Sequence, residues 1–195
     1  MRRALAAIVG VFALLFGGAA SAQNVNIRGT LTAFDGKVMS VHGRDGRDVR
    51  IDLPETVNVA STRPFSFADI TPGMVLGVTT VKRADGATVA IDVRPIPPTA
   101  NQGLSPFDLQ PESTMTNAAF EGSVQTSGGN EITLNYKTGT VKVLVPPGTP
   151  MSQSAPGSRD DLKPGETVFV STRREGDALV AQRVQVSKNG VKPTQ

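Results

Sequence analysis

The chain contains no cysteine and no tryptophan, one histidine and one tyrosine among its 195 residues. Without thiols there is no disulfide framework, thiolate zinc site, iron–sulfur cluster or cysteine nucleophile, and His42 is the only imidazole for acid–base or metal chemistry. A Ser-His-Asp triad would have to use His42, yet no Gly-x-Ser-x-Gly elbow accompanies it. Long apolar runs are also missing apart from one at the start, so no later segment is expected to cross a membrane. A large charge of one sign is absent as well. The formal net charge is +3, with 20 basic and 17 acidic residues. Arg2 and Arg3 lie in a segment expected to be removed, which leaves 18 basic against 17 acidic, a net of +1. The basic surplus is then too small to argue for a nucleic-acid partner.

The opening residues read as a secretory signal. Met1-Arg2-Arg3 supplies a positive start, Ala4 to Phe16 is apolar apart from Gly10, and Ala20-Ser21-Ala22 is a small-x-small cleavage site. Residues 1–22 are therefore expected to be a cleaved signal peptide, with the mature protein in the periplasm and no transmembrane span after processing. An exported chain without disulfides must be held by core burial alone.

What the chain does contain is a repeat. At an offset of 91 to 93, Asp69-Ile70-Thr71-Pro72-Gly73 matches Asp161-Leu162-Lys163-Pro164-Gly165, and Val89-Ala90-Ile91-Asp92-Val93 matches Val180-Ala181-Gln182-Arg183-Val184. Upstream, Val49-Arg50-Ile51-Asp52-Leu53-Pro54 matches Val141-Lys142-Val143-Leu144-Val145-Pro146, and Gly29-Thr30-Leu31 matches Gly122-Ser123-Val124. Each copy alternates apolar and polar residues with period two, between turn pairs such as Asp35-Gly36, Asp45-Gly46 and Asp85-Gly86. In the first copy this pattern predicts strands over 25–34, 37–42, 48–53, 74–82 and 87–94. A longer excursion separates the third from the fourth. It ends in Ser66-Phe67-Ala68-Asp69 or Ser158-Arg159-Asp160-Asp161, a spacing that caps a single helical turn, and then in a Pro-Gly pair suited to a type II turn.

Three strands, a helical turn and two strands is the order of an OB-type barrel. The expected fold is all-β, two tandem five-stranded OB-like small barrels joined by a Pro-rich segment. The expected boundaries are a module at 23–95, a joining segment at 96–116, a module at 117–188 and a tail at 189–195. The joining segment holds Pro95, Pro97, Pro98, Pro106 and Pro111 at or within its ends, which disfavour helix and central strand. It also holds Phe107, Asp108 and Leu109, an apolar insertion expected either to pack on a barrel or to dock a partner.

Candidate chemistries are few. His42 is one enzyme or metal candidate, and the carboxylates Asp160-Asp161 and Asp45 with Asp48 are another, suited to calcium or to the acid and base of glycoside cleavage; the same residues suit capping and ion pairing in turns. Arg44, Arg47 and Arg50 form a basic edge without an aromatic platform, which argues against single-stranded nucleic acid and leaves anionic envelope components as possible ligands. Phe107, Asp108, Leu109, Arg44, Arg47 and Arg50 are thus the candidate partner-binding residues. No catalytic residue, metal ligand or cofactor is expected. The expected function is a non-catalytic periplasmic binding or adaptor protein. The alternative is an exported accessory protein that binds metal or an anionic envelope component, and an enzyme using His42 and carboxylates stands third.

The Gly-x-(Val/Leu) strand, the Asp-(Ile/Leu)-x-Pro-Gly turn and the closing Val-Ala-x-x-Val strand resemble a bacterial exported domain of unknown function. The two-copy arrangement, with Pro106-Phe107-Asp108-Leu109-Gln110-Pro111 between copies, is similar to a group of alphaproteobacterial periplasmic proteins in which tryptophan is expected at the position of Phe107. The resemblance implies an OB-like barrel and carries over no catalytic residue.

Overall fold

The computed structural model describes residues 24–193, and the expected signal peptide lies outside the described residues. The first half of the chain forms β1 (Asn24–Phe34), β2 (Val38–Gly43), β3 (Asp48–Asp52), β4 (Val59–Pro64), a 3-10 turn (Phe67–Asp69), β5 (Val75–Lys82) and β6 (Thr88–Pro95). After β7 (Gly103–Pro106), the second half runs β8 (Thr114–Thr126), β9 (Gly129–Tyr136), β10 (Gly139–Val145), β11 (Ser152–Pro156), a second 3-10 turn (Arg159–Asp161), β12 (Thr167–Glu175) and β13 (Ala178–Val186). The five strands expected in the first half appear within a residue or so of their expected ends. Both helical turns carry the Ser-x-x-Asp capping box, and Thr71 and Lys163 accept the hydrogen bonds that close the Pro-Gly turns. Among the described residues, no helix is long and apolar enough to cross a membrane.

The fold is all-β with two five-stranded barrel units. In one ring the neighbours are β1, β2, β3, β13 and β12, closed by β12 on β1; in the other they are β8, β9, β10, β6 and β5, closed by β5 on β8. The boundaries 23–95 and 117–188, expected to enclose one barrel each, therefore need correction. Each barrel takes three strands from one half of the chain and two from the other. The reason is that equivalent strands carry equivalent alternation, so β12 and β13 fit the first ring as β5 and β6 would, and periodicity cannot tell them apart.

The exchange has a near-twofold arrangement. Val180 meets Asp52 across one parallel junction and Val89 meets Leu144 across the other, and these residues correspond to one another in the repeat. The two crossing segments, β4 and β11, pair antiparallel about Thr62 and Ser154, which lie 92 positions apart, within the repeat offset. That pairing is self-complementary, residue i facing j while the equivalent of j faces the equivalent of i, as in a symmetric dimer interface.

Both cores are mixed in the same way. Leu31, Met39, Val41 and Ile51 from the first half pack with Val168, Val170, Val184 and Val186 from the second. Leu76, Val78 and Val93 pack with Ile132, Leu134 and Val143. Uncovering one exchanged strand pair would expose several fully buried Val and Ala side chains, on the order of 5 to 10 kcal/mol. That is comparable with the whole stability of a small domain. The two halves are thus one cooperative body in energetic terms.

Candidate functional site

Between the barrels, the first rung outside the core of the first barrel is not apolar. Arg28 on β1 faces Phe169 on β12 in register, and both side chains point away from the core that Leu31 and Val170 occupy. The Arg28 guanidinium lies 5.1 Å from the Phe169 ring centroid and 5.6 Å from that of Phe107. Its side chain is only 10% exposed, and its Nε has no hydrogen-bond partner. Arg94 on β6, from the second barrel, also lies over the Phe107 ring, 5.9 Å from the centroid. Phe107 thus lies within cation–π distance of two guanidinium groups, one from each barrel.

The joining segment is consequently a fitted strap. Pro106 ends β7, which pairs with β8, and Ser113 closes the loop by donating to the carbonyls of Phe107 (2.9 Å) and Gln110 (2.8 Å). Asp108 receives a two-pronged bond from Arg28, 2.8 and 3.1 Å, and another from Asn26 at 3.0 Å. Burial pushes the Asp108 carboxyl up, but the hydrogen bonds from Arg28 and Asn26 and the Arg28 charge outweigh it and hold the group below its ordinary 3.8. Arg94 behaves differently. Burial pulls its pKa down against the opposing attraction of Asp92, with which it forms an ion pair in the same layer.

The strap roofs one side of a groove of about 890 Å³. Its floor is β1 at Arg28 to Thr30, and Gly29 is required there, because a Cβ would stand 2.1 Å from the carbonyl oxygen of His42. The β2–β3 hairpin brings His42 and Arg44 to one wall; Ile91, Pro150 and Met151 come from the other barrel; Leu109 and Gln110 hang from the strap. The chain's end closes the last side. Asn189 and Gly190 adopt φ of 52° and 80°, the left-handed pair of a tight turn, and Thr62 donates to the Val191 carbonyl, so that Lys192 lines the groove. Arg28, His42, Arg44 and Lys192 stand around this space, and none of the described lining residues is Asp or Glu. Arg44 and Lys192 are exposed and form no ion pair among the described residues.

The sequence candidates divide between different surroundings. Arg44 and Leu109 line the groove, and Asp108 and Arg47 meet in a smaller neighbouring hollow. Phe107 is half-buried between the arginines. Arg47 is tied to Asp45 at 2.6 Å, and Arg50 points to solvent from β3, opposite Ser40, lining neither space. His42 is half-exposed and bonded through Nδ1 to Asp48 alone, at 2.7 Å. Asp160 and Asp161 lie in the capped turn, where Asp161 accepts from Ser158 and pairs with Lys188, far from His42 in role. Among the described residues, no three His, Asp or Glu side chains gather as a metal-ion site.

Arg28, Arg94 and Lys192 were not among the candidates. Arg28 and Arg94 sit at strand positions that alternation assigns to solvent, and the strap residue Phe107 lies against both. The one legible signal was Asn189-Gly190, a turn pair that folds the tail back. No family model, curated protein or solved structure matches the chain.

Proposed function

We propose that this chain is a non-catalytic periplasmic binding protein, and that it holds a small anionic solute, bearing carboxylate or phosphate, in the groove between its barrels. The observation that carries the reading is the lining itself: Arg44 and Lys192 stand without carboxylate partners over a half-apolar floor, with Arg28 and His42 beside them. A groove of this volume suits a small molecule, and cations on converging walls give an anion orientation as well as attraction. Arg28 keeps its charge compensated by Asp108 and anchors the roof, while Arg44 and Lys192 are free to meet the ligand. The secretory leader expected at residues 1–22 and the resemblance to periplasmic proteins support that compartment. Half-exposed His42 with a single carboxylate neighbour offers no nucleophile and no second acid or base, which favours binding over turnover.

Isothermal titration with citrate and with inorganic phosphate at low ionic strength tests this. Saturable binding to at least one, lost in the Arg44→Ala/Lys192→Ala double variant and retained in Arg50→Ala, is the expected result. Absence of saturable binding, or equal loss in Arg50→Ala, removes the groove as the site.

A further inference from the structure

The two barrels carry the same β-bulge and fill it differently. On β13 the register against β12 passes from Arg183 opposite Ser171 to Ala181 opposite Thr172, which leaves Gln182 as the extra residue. On β6 the register against β5 passes from Asp92 opposite Thr79 to Ala90 opposite Thr80, which leaves Ile91. The extra residue of a bulge is unpaired, and its side chain is re-aimed. Gln182 is exposed there, as suits a polar side chain. Ile91 is half-buried, and the space it borders is the groove between the barrels.

Other apolar side chains border the same space. Leu109 reaches it from the strap, and like Ile91 it belongs neither to the two core clusters nor to the side chains packed against them. Met151, held by a parallel bridge to Val93, packs against the second core and lines the groove as well. Pro150, exposed beside it, stands where the first half of the chain has Asn58. The cations come from elsewhere, Arg44 from the β2–β3 turn and Lys192 from the folded-back tail. The groove thus has an apolar side, from the second barrel and the strap, and a cationic side, from the first barrel and the tail.

That division selects the ligand within the class of anions. An inorganic anion would use the cations and leave the apolar side wet, whereas a neutral hydrocarbon would strip water from charges it cannot compensate. A molecule with an anionic head and an apolar body satisfies both sides, and a groove of about 890 Å³ holds a small one. We propose that the ligand of the groove is a free, single-chain amphiphilic anion, its phosphate or carboxylate head on Arg44 and Lys192 and its alkyl body along Ile91, Leu109 and Met151. The proposal rests on the anion reading given above and narrows it. The strap and the tail bound the space on two sides, which favours a dissolved monomer over a lipid held in a bilayer.

Isothermal titration of the full chain with matched pairs, methyl against hexyl phosphate and propanoate against octanoate, reads the apolar side separately from the charge. Each buried methylene is worth about fourfold in affinity, so partial burial of the longer chain should tighten binding about tenfold or more in at least one pair. Ile91→Gln gives this bulge the side chain that the other barrel carries at Gln182. It is expected to remove most of the gain, to leave the binding of citrate or inorganic phosphate unchanged, and to melt as the wild type does. Leu109→Gln, on the strap, is expected to act in the same way and reads the contact independently. In sedimentation with phosphatidylglycerol vesicles the protein is expected to stay in solution. Equal affinity within both pairs, or a gain that survives both substitutions, overturns the amphiphile while citrate or phosphate binding keeps the anion reading. Co-sedimentation that hexyl phosphate reverses assigns the groove to a bilayer lipid and overturns the proposal as well.

Discussion

The two barrels share strand order, register and core pattern, and differ at their mouths. In the first, the position after Ala178 on β13 is Leu179, 9% exposed and part of the core cluster against which Ile27 and Val49 also pack. In the second, the matching position on β6 is Thr88, half-buried at the rim of a hollow. At this rung the first barrel therefore carries a core leucine where the second carries a half-buried threonine. The same contrast holds outside the rings: Phe169 backs Arg28 on the first barrel, whereas its counterpart Gly77 leaves room for Ile96, whose Cγ2 would stand 3.2 Å from an added Cβ. Two barrels of one strand order can thus share a backbone while their ends are lined by different residues.

The sharpest way to break the contrast is to give the first barrel the second one's residue. Leu179→Thr removes buried apolar volume and introduces a hydroxyl into the core cluster of the first barrel, and is expected to destabilise by about 2 to 4 kcal/mol in urea unfolding. A loss below half a kcal/mol would show that the two mouths are energetically alike. Next in size is the bridge between the barrels. Phe107→Ala gives up half-buried ring area and two guanidinium contacts, and should lower stability by about 1 to 2 kcal/mol, visible as a reduced melting temperature. Unchanged melting would mean the strap rests on the barrels without holding them. The reciprocal of the first exchange, Thr88→Leu, is expected to raise stability by up to about 1 kcal/mol, read as a higher melting temperature. The smallest effect concerns acid. Because Asp108 is held below its ordinary value, its contribution is complete above about pH 4 and declines as the pH falls through its folded value. Wild type should therefore lose more stability than Asp108→Asn between neutral pH and about pH 3, and parallel pH profiles for the two would show that the Arg28 contact is neutral to stability.

The strands were legible because alternation and turn pairs are local signals. The ends of β1, β2, β3, β5 and β6 follow from Val49, Ile51 and Leu53, from the Asp-Gly turns and from the capped Ser66 and Ser158. The short strands β4, β7 and β11 were not legible: Val59–Pro64 and Ser152–Pro156 are polar and short, and each is a strand chiefly because the other pairs with it. Which strands close which ring was equally hidden, since Val168 and Val170 satisfy the same rung as Leu76 and Val78. The groove follows from that closure. Arg28 gains its surroundings from Phe169, Phe107 and Arg94, residues distant in sequence, so no local pattern marks it as a site residue. Arg44 and Leu109 were legible as a basic turn and an apolar insertion, without a sign that they face one space.

The groove lies between two barrels that each close by strand exchange, and one measurement reads that exchange directly. Thr30 on β1 faces Thr167 on β12, one in each half of the chain. In a protein without cysteine, Thr30→Cys/Thr167→Cys creates the only possible disulfide. A specific protease site placed at the exposed Pro98-Thr99 then allows the joining segment to be cut after oxidation of the folded protein. The account predicts that the cut, oxidised protein migrates as one full-length species on a denaturing gel without reductant and as two fragments with it. Two fragments in both lanes, after oxidation in the folded state, would contradict the exchange and the interbarrel groove built upon it.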